Sequence, residues 1–225
     1  MTDAYPVIVV GASLGGLDAL SRIANRLQPD FPAPIVAVLH TGSQDPRRIA
    51  DRLGSRTTLR VTCAQDGERL VPGTIYLSIP NHRLTILPPG TFRLTPTTAI
   101  NGATADALFL SAARTFGDRV IGVVLSGAGA DGTAGMAAVH AAGGIGIVQR
   151  PDEAESNGMP ISAIQGDHPD YTASIEKIAE LLQTLVQEGS ARVGPAALPR
   201  EDLLKADTGR AQAAAVLKLP TDLGV

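Results

Sequence analysis

Residues 7–16 read Val7-Ile8-Val9-Val10-Gly11-Ala12-Ser13-Leu14-Gly15-Gly16. The first four are all β-branched and apolar, with no polar alternation, which predicts a strand covered on both faces. Small residues follow, and then Leu17, Leu20, Ile23, Ala24 and Leu27 recur at helical spacing. A buried strand, a glycine-rich turn and an amphipathic helix form the first half of a βαβ unit. Pro29, Pro32 and Pro34 end the helix, and Ile35 to Leu39 repeat the buried-strand pattern before His40.

Further along, the spacing predicts helices over 47–53, 106–116, 133–142 and 175–186, and strands over 60–62, 120–125 and 145–149. Short alternating runs at 74–77, 83–87 and 91–94 are divided by Asn81-His82 and Pro88-Pro89-Gly90. They predict an antiparallel insertion at one sheet edge. The expected fold class is α/β: a doubly wound, mostly parallel sheet with helices on both faces and that edge insertion. Residues 1–188 form the folded domain in this reading. Residues 189–225 scatter Gly, Pro and charge among alanines and read as a tail or linker, with one weak helix around 210–217.

Composition narrows the function. Hydrophobic residues are 44% of the 225 and charged residues 18%, enough to build a core. Aromatics are 3%, tryptophan is absent and the net charge is -3, so neither the basic face nor the stacking platform of a nucleic-acid binder is present. Cys63 is the single cysteine and has no internal disulfide partner, which suits a reducing, cytoplasmic compartment. The sequence carries no run long enough for a membrane span and no signal-peptide pattern, so membrane insertion is not expected.

In open parallel sheets ligands bind outside the carboxyl ends of the strands. Ser13, His40 and Asp131 each follow a predicted strand, and together they are the components of serine-type acyl transfer. Gly11-Ala12-Ser13-Leu14-Gly15 matches the G-x-S-x-G elbow between strand and helix. The backbone N–H of Leu14 and those of Gly127, Ala128 and Gly129 are the candidate oxyanion donors. Taken singly, each side chain has a plainer role: Ser13 as a helix cap or phosphate-loop serine, His40 as a satisfied polar residue, Asp131 as a cap before Gly132-Thr133. Their coincidence at one end of one sheet favours catalysis.

Two other motif assignments compete for these residues. A dinucleotide fingerprint would put glycine where Ser13 stands and an acid where the second strand ends in Leu39-His40. An α/β-hydrolase order would select Ser13, Asp131 and His168, but only twelve residues precede Ser13, too few for the strands that open that fold. The order Ser13, His40, Asp131 is favoured.

With these residues in place, the stretch from about Tyr5 to Val186 resembles the catalytic domain of CheB-type protein-glutamate methylesterases. The landmarks are Gly11-Ala12-Ser13-Leu14-Gly15-Gly16, His40, Asp66-Gly67, Pro72-Gly73-Thr74-Ile75-Tyr76 and Asp106-Ala107-Leu108-Phe109. Leu125-Ser126-Gly127-Ala128-Gly129-Ala130-Asp131-Gly132, Gln149 and Gly158-Met159-Pro160 complete them. Leu14 stands where the family usually has Thr. Asn101-Gly102-Ala103-Thr104-Ala105 replaces a stretch that commonly holds an Arg-Pro pair, and Leu110 replaces a frequent Arg.

The resemblance implies Ser13 as nucleophile, His40 as base and Asp131 as the carboxylate that holds His40. Gly15, Gly16 and Met159 are candidates for the substrate side. It further implies hydrolysis of γ-glutamyl methyl esters on the cytoplasmic helices of methyl-accepting chemoreceptors, glutamine deamidation as a companion activity, and no metal or organic cofactor. Well-known relatives carry an N-terminal receiver domain of about 120 residues, which this sequence does not contain, so control is expected from a regulatory protein in trans. A carboxylic-ester hydrolase with another substrate, and a non-catalytic signalling module keeping the fold, stay open as alternatives.

Overall fold

All six residues of the first strand, β1 (Val7–Ala12), are buried, and their alternation divides the interior in two. Ile8, Val10 and Ala12 join one apolar cluster, while Val7 and Val9 join a second on the opposite face, as the two-residue period of a strand requires. β2 (Ile35–Leu39) divides the same way, with Ile35, Ala37 and Leu39 on one side and Val36 and Val38 on the other. The computed structural model describes residues 5–42, 44–97 and 104–191. The tail from residue 192 and the weak helix expected over 210–217 lie outside the described residues, as do residues 98–103.

The remaining elements are α1 (Gly16–Ala24), α2 (Pro46–Gly54), β3 (Arg60–Cys63), β4 (Thr74–Leu77), β5 (His82–Leu87), β6 (Thr91–Pro96) and α3 (Ala105–Phe116). Then come β7 (Val120–Val124), α4 (Thr133–Ala141), β8 (Ile145–Gln149), α5 (Gly158–Gly166), β9 (Tyr171–Ala173) and α6 (Ile175–Ala191). Seven strands form one sheet in the order β3-β4-β2-β1-β7-β8-β9, and every neighbouring pair is parallel. α1, α2 and α6 send Leu20, Ile23, Leu53, Ile178 and Leu182 into the first cluster. α3, α4 and α5 send Phe109, Met136 and Met159 into the second. The doubly wound α/β expectation is therefore met, with three helices on each face.

Two local expectations need correction. Residues 74–77, expected in the antiparallel insertion, form β4, a parallel strand between β2 and β3. Its four residues are all buried, and a central strand of a two-faced sheet is what such a run suits. The antiparallel element is a separate two-stranded sheet, β5–β6, with Leu84 opposite Leu94 and Ile86 opposite Phe92. It packs on α3, where Ser111 Oγ accepts the Ile86 N–H at 3.0 Å and Thr115 Oγ1 donates to the Ile86 carbonyl at 3.1 Å. α5 and β9 had no counterpart in the sequence reading. α5 begins and ends on glycine and carries Pro160 in its first turn, a position where proline is tolerated but the helical pattern is masked. β9 is only three residues long.

From β1 the chain turns toward β2 on one side, and β7 pairs with β1 on the other. The boundary between β1 and β7 is therefore the point where strand order reverses, and the crevice above it is where such sheets bind ligands. None of the described helices is long and apolar enough to cross a membrane.

Candidate active site

Ser13, His40 and Asp131 arrive from β1, β2 and β7, three adjacent strands with β1 in the middle. Ser13 sits in a tight turn at the end of β1. The Gly16 N–H donates to the Ser13 carbonyl at 2.9 Å, and Gly15 lies at φ 77°, ψ -12°. Those are the dihedrals of the third residue of a type II turn, which an L side chain resists. The turn opens α1, so the nucleophile candidate stands at a helix N-terminus.

His40 is anchored at its own end. Its backbone N–H donates to the Ala12 carbonyl at 3.0 Å, while its ring crosses above β1 and brings Nε2 to 3.0 Å from Asp131 Oδ2. Both side chains are partly buried. His40, not His168, is the histidine beside Asp131.

Asp131 is held on both oxygens. Oδ2 accepts the Ala105 N–H at 2.7 Å and Oδ1 the Asp106 N–H at 3.1 Å, both from the first turn of α3. Burial, the largest single influence, pushes the Asp131 pKa up. The His40 hydrogen bond and the two backbone amides together outweigh it and hold the carboxyl below the ordinary carboxylate range. Asp131 therefore stays ionised beside the imidazole.

Ser13, Gly15, His40, Thr41, Arg52 and Glu155 share one cavity of about 370 Å³. Leu14 flanks it and is 57% exposed, an apolar side chain presented to solvent next to the serine. The described residues include no group of three or more His, Cys, Asp or Glu placed to hold a metal ion.

Beneath the turn lies a buried polar network that the sequence reading did not assign. Ser126 and Gln149 are each 1% exposed. Gln149 Oε1 accepts the Ser126 N–H at 2.8 Å, and the Ser126 carbonyl accepts the Ser13 N–H at 3.0 Å. Ser126 Oγ donates to the Leu14 carbonyl at 2.6 Å and accepts the Ser156 N–H at 3.0 Å. Ser126 and Gln149 both lie in motifs of the family resemblance, but nothing in their spacing says that they meet.

The structure corrects three other assignments. The Gly127 N–H donates to the Ser156 carbonyl at 2.8 Å, so it is committed to the scaffold and not to an oxyanion. Gly127 instead makes room: a Cβ there would stand 2.9 Å from Ser13 Cβ and against Met159 Sδ. Met159 is completely buried and forms the floor under that loop, out of reach of a substrate. Gly16 is buried as well, pressed against Ala12 Cβ and the Ser126 carbonyl. Gly15 does line the cavity, and Ala128 and Gly129 are exposed at the loop tip.

Fold and site together define a doubly wound α/β protein with a carboxylate-held imidazole above the switch point of its sheet. The family model for the CheB methylesterase matches residues 8–182, and the chain belongs to that family. It is 36% identical over 185 residues to a putative protein-glutamate methylesterase/protein-glutamine glutaminase of Leptospira interrogans, covering 81% of this chain and 96% of that one. It is 34% identical over 189 residues to protein-glutamate methylesterase/protein-glutamine glutaminase 5 of Myxococcus xanthus, covering 82% and 54%. Among solved structures it is similar to the CheB methylesterase catalytic domain of Thermotoga maritima, with a TM-score of 0.77, 34% identity, and coverage of 81% and 99%.

Proposed function

We propose that the protein is a protein-glutamate methylesterase with Ser13 as nucleophile, His40 as base and Asp131 as the carboxylate that orients His40. The observation that carries this reading is the 3.0 Å approach of His40 Nε2 to Asp131 Oδ2 over the strand that leads into Ser13. Family membership and the names of the relatives supply the substrate class. The site of action is the cytoplasm, on methylated glutamates of chemoreceptor helices, and glutamine side chains are the second substrate.

The strand order sets the division of labour on the ring. Because the serine strand lies between the histidine and aspartate strands, the imidazole spans the gap. Asp131 takes Nε2–H, and Nδ1 receives the Ser13 proton, the reverse of the assignment in the best-known serine proteases. Ser13 Oγ then attacks the ester carbonyl. The imidazolium returns the proton to the departing methoxide, methanol leaves, and a glutamyl ester of Ser13 remains. Water, deprotonated by the same nitrogen, attacks that ester and releases the glutamate carboxylate and the free Ser13 hydroxyl. Leu14 N–H, at the N-terminus of α1, is the leading oxyanion donor.

The test is methanol release from a methylated receptor fragment by wild type and by Ser13→Ala. Wild type is expected to release methanol, and Ser13→Ala to retain only the residual acceleration, on the order of 10³–10⁴ over water, that binding and the oxyanion hole provide. Wild-type turnover by Ser13→Ala removes the serine mechanism. Hydrolysis of simple esters but not of the receptor points to a different carboxylic-ester substrate.

A further inference from the structure

Ser126 has two bonds to the nucleophile turn, and they grip it on either side of the nucleophile's own peptide. Its carbonyl accepts the Ser13 N–H at 3.0 Å, and its hydroxyl donates to the Leu14 carbonyl at 2.6 Å. The single hydroxyl proton has a second acceptor in reach, the Ser156 carbonyl at 3.2 Å, but the Leu14 contact is much the shorter. The hydroxyl oxygen is occupied in turn by the Ser156 N–H. Ser126 is itself fixed, by Gln149 Oε1 on its N–H and by nearly complete burial. A hydroxyl with both its donor and its acceptor capacity used in a buried site has little freedom to rotate.

The contact constrains geometry that matters for the chemistry. A trans peptide points its C=O and N–H in opposite directions. Turning the Leu14 carbonyl inward to Ser126 therefore sends the Gly15 N–H outward, and Gly15 is a residue of the cavity wall. Close approach is possible only because residue 15 has no side chain: a Cβ there would lie 2.7 Å from Ser126 Oγ. The Gly16 N–H, bonded to the Ser13 carbonyl, closes the turn from its far end.

We propose that Ser126 is a positioning residue of the esterase centre: through its hydroxyl and carbonyl it clamps the Ser13–Gly16 turn and so sets the direction of the nucleophile and of the amides beside it. This rests on the assignment of Ser13 as nucleophile. Ser126 does not touch substrate and acts only through the turn. Loss of its hydroxyl frees the Leu14–Gly15 peptide to rotate, and a displacement of about 1 Å at a nucleophile costs on the order of 10²-fold in rate. Substrate binding rests mainly on the rest of the cavity and the outer surface, so KM changes little.

The experiment uses Ser126→Ala and the near-isosteric Ser126→Cys, whose thiol is a weak donor, in the full chain. kcat and KM are measured on a methylated receptor fragment, together with the second-order rate at which a fluorophosphonate labels Ser13. In that labelling Ser13 Oγ bonds to phosphorus, fluoride leaves and the hydroxyl proton passes to the base. The expected result is a fall of 10- to 100-fold in kcat and in labelling rate, with KM within twofold of wild type and circular dichroism unchanged. If Ser126→Ala does not fold, Ser126→Cys decides alone. Wild-type kcat and labelling in the folded variant, or a change confined to KM, overturns the clamp. Failure of the wild-type protein to label at Ser13 is a separate outcome: it removes the nucleophile assignment, and the clamp with it.

Discussion

Asp106 and Asp131 cap each other's helices. Asp131 accepts the N–H groups of Ala105 and Asp106 at the start of α3. Asp106 Oδ1 accepts those of Gly132 and Gly135 at the start of α4, at 3.0 and 2.7 Å. α4 has no cap from its own N-cap residue, Gly132, so the help must come from elsewhere. The two helices lie close because residue 135 is glycine: a Cβ there would stand 2.6 Å from Phe109 Cβ. The carboxylate assigned to His40 is thus also part of the joint between α3 and α4, and stability and activity share a residue.

That sharing sets what Asp131→Asn does. An amide has one acceptor oxygen, whereas both Asp131 oxygens receive protons. The NH₂ group must therefore face a backbone N–H or His40 Nε2. Leaving one buried donor unpaired costs about 1–3 kcal/mol. In a serine triad the same substitution lowers kcat by about 10⁴, equivalent to roughly 5.6 kcal/mol at 1.4 kcal/mol per decade. Urea titration and receptor demethylation on one preparation should show the rate falling far more than the stability. Equal losses on the two scales would mean that Asp131 is a cap and nothing more.

Asp106 has the opposite electrostatics. Burial, with the neighbouring Asp131 charge adding to it, pushes its pKa above the ordinary carboxylate value, while the Gly135 and Gly132 amides oppose the shift. A carboxyl raised in the folded state binds more protons folded than unfolded, so its contribution is full below the unfolded value, about 3.9, and is lost as pH rises through the folded one. Asp106→Asn keeps an acceptor for both amides and removes that dependence. The stability of Asp106→Asn relative to wild type should therefore improve as pH rises from about 4 through the Asp106 folded value, then level off. Asp106→Ala loses the cap and should be less stable by about 1 kcal/mol. Chemical denaturation of all three proteins from pH 3.5 to 7 checks the sign. A relative stability of Asp106→Asn that falls as pH rises would contradict it.

The central strands and helices were legible in the sequence because each solves one local problem. Val7 to Val10 and Ile35 to Leu39 have no polar face and can only be interior strands. His40 and Asp131 could be placed at strand ends for the same reason, and the structure brings them together. What local pattern did not encode was partnership. Thr74–Leu77, expected in the antiparallel insertion, lies between β2 and β3, because pairing is chosen by tertiary contacts. Met159 and Gly16 sit in motifs that carry chemistry but serve as packing. Ser126 was visible as a residue and invisible as a clamp, since its bonds reach 112 and 30 positions along the chain.

This chain replaces the family's Arg-Pro pair and the frequent Arg at position 110, but an arginine stands elsewhere on the cavity wall. Arg52 of α2 lines the cavity with Ser13 and His40, and it has no ion pair among the described residues. Arg56, on the same wall, is loosely paired, 3.7 Å from Asp18. A methylated glutamate on a receptor helix has acidic neighbours once adjacent sites are demethylated, and a guanidinium at the cavity wall would pair with them. Arg52→Ala should raise KM for the receptor several-fold, less so at high salt, and leave kcat and the hydrolysis of a small neutral ester unchanged. An equal loss on the small ester would place Arg52 in the fold or the chemistry, not in recognition.

Two glycines in one loop give a last, internally controlled comparison. Gly127 is buried directly under Ser13, where an added Cβ would stand 2.9 Å from Ser13 Cβ, 3.0 Å from Ser13 N and against Met159 Sδ. The obstacles include backbone and a completely buried side chain, so neither can move aside without shifting the turn. Gly129, two residues on, has φ 85° but open space around its Cβ position. There an alanine meets only the left-handed backbone penalty of about 1–2 kcal/mol. Gly127→Ala should therefore be destabilised by about 1–3 kcal/mol from overpacking and should lose at least 10²-fold in kcat through displacement of Ser13. Gly129→Ala should lose comparable stability while keeping Ser13 in place and most of its turnover. Thermal melts paired with methanol-release rates distinguish the two. If both variants lose activity only in proportion to their stability, the packing of Gly127 against Ser13 has no bearing on turnover.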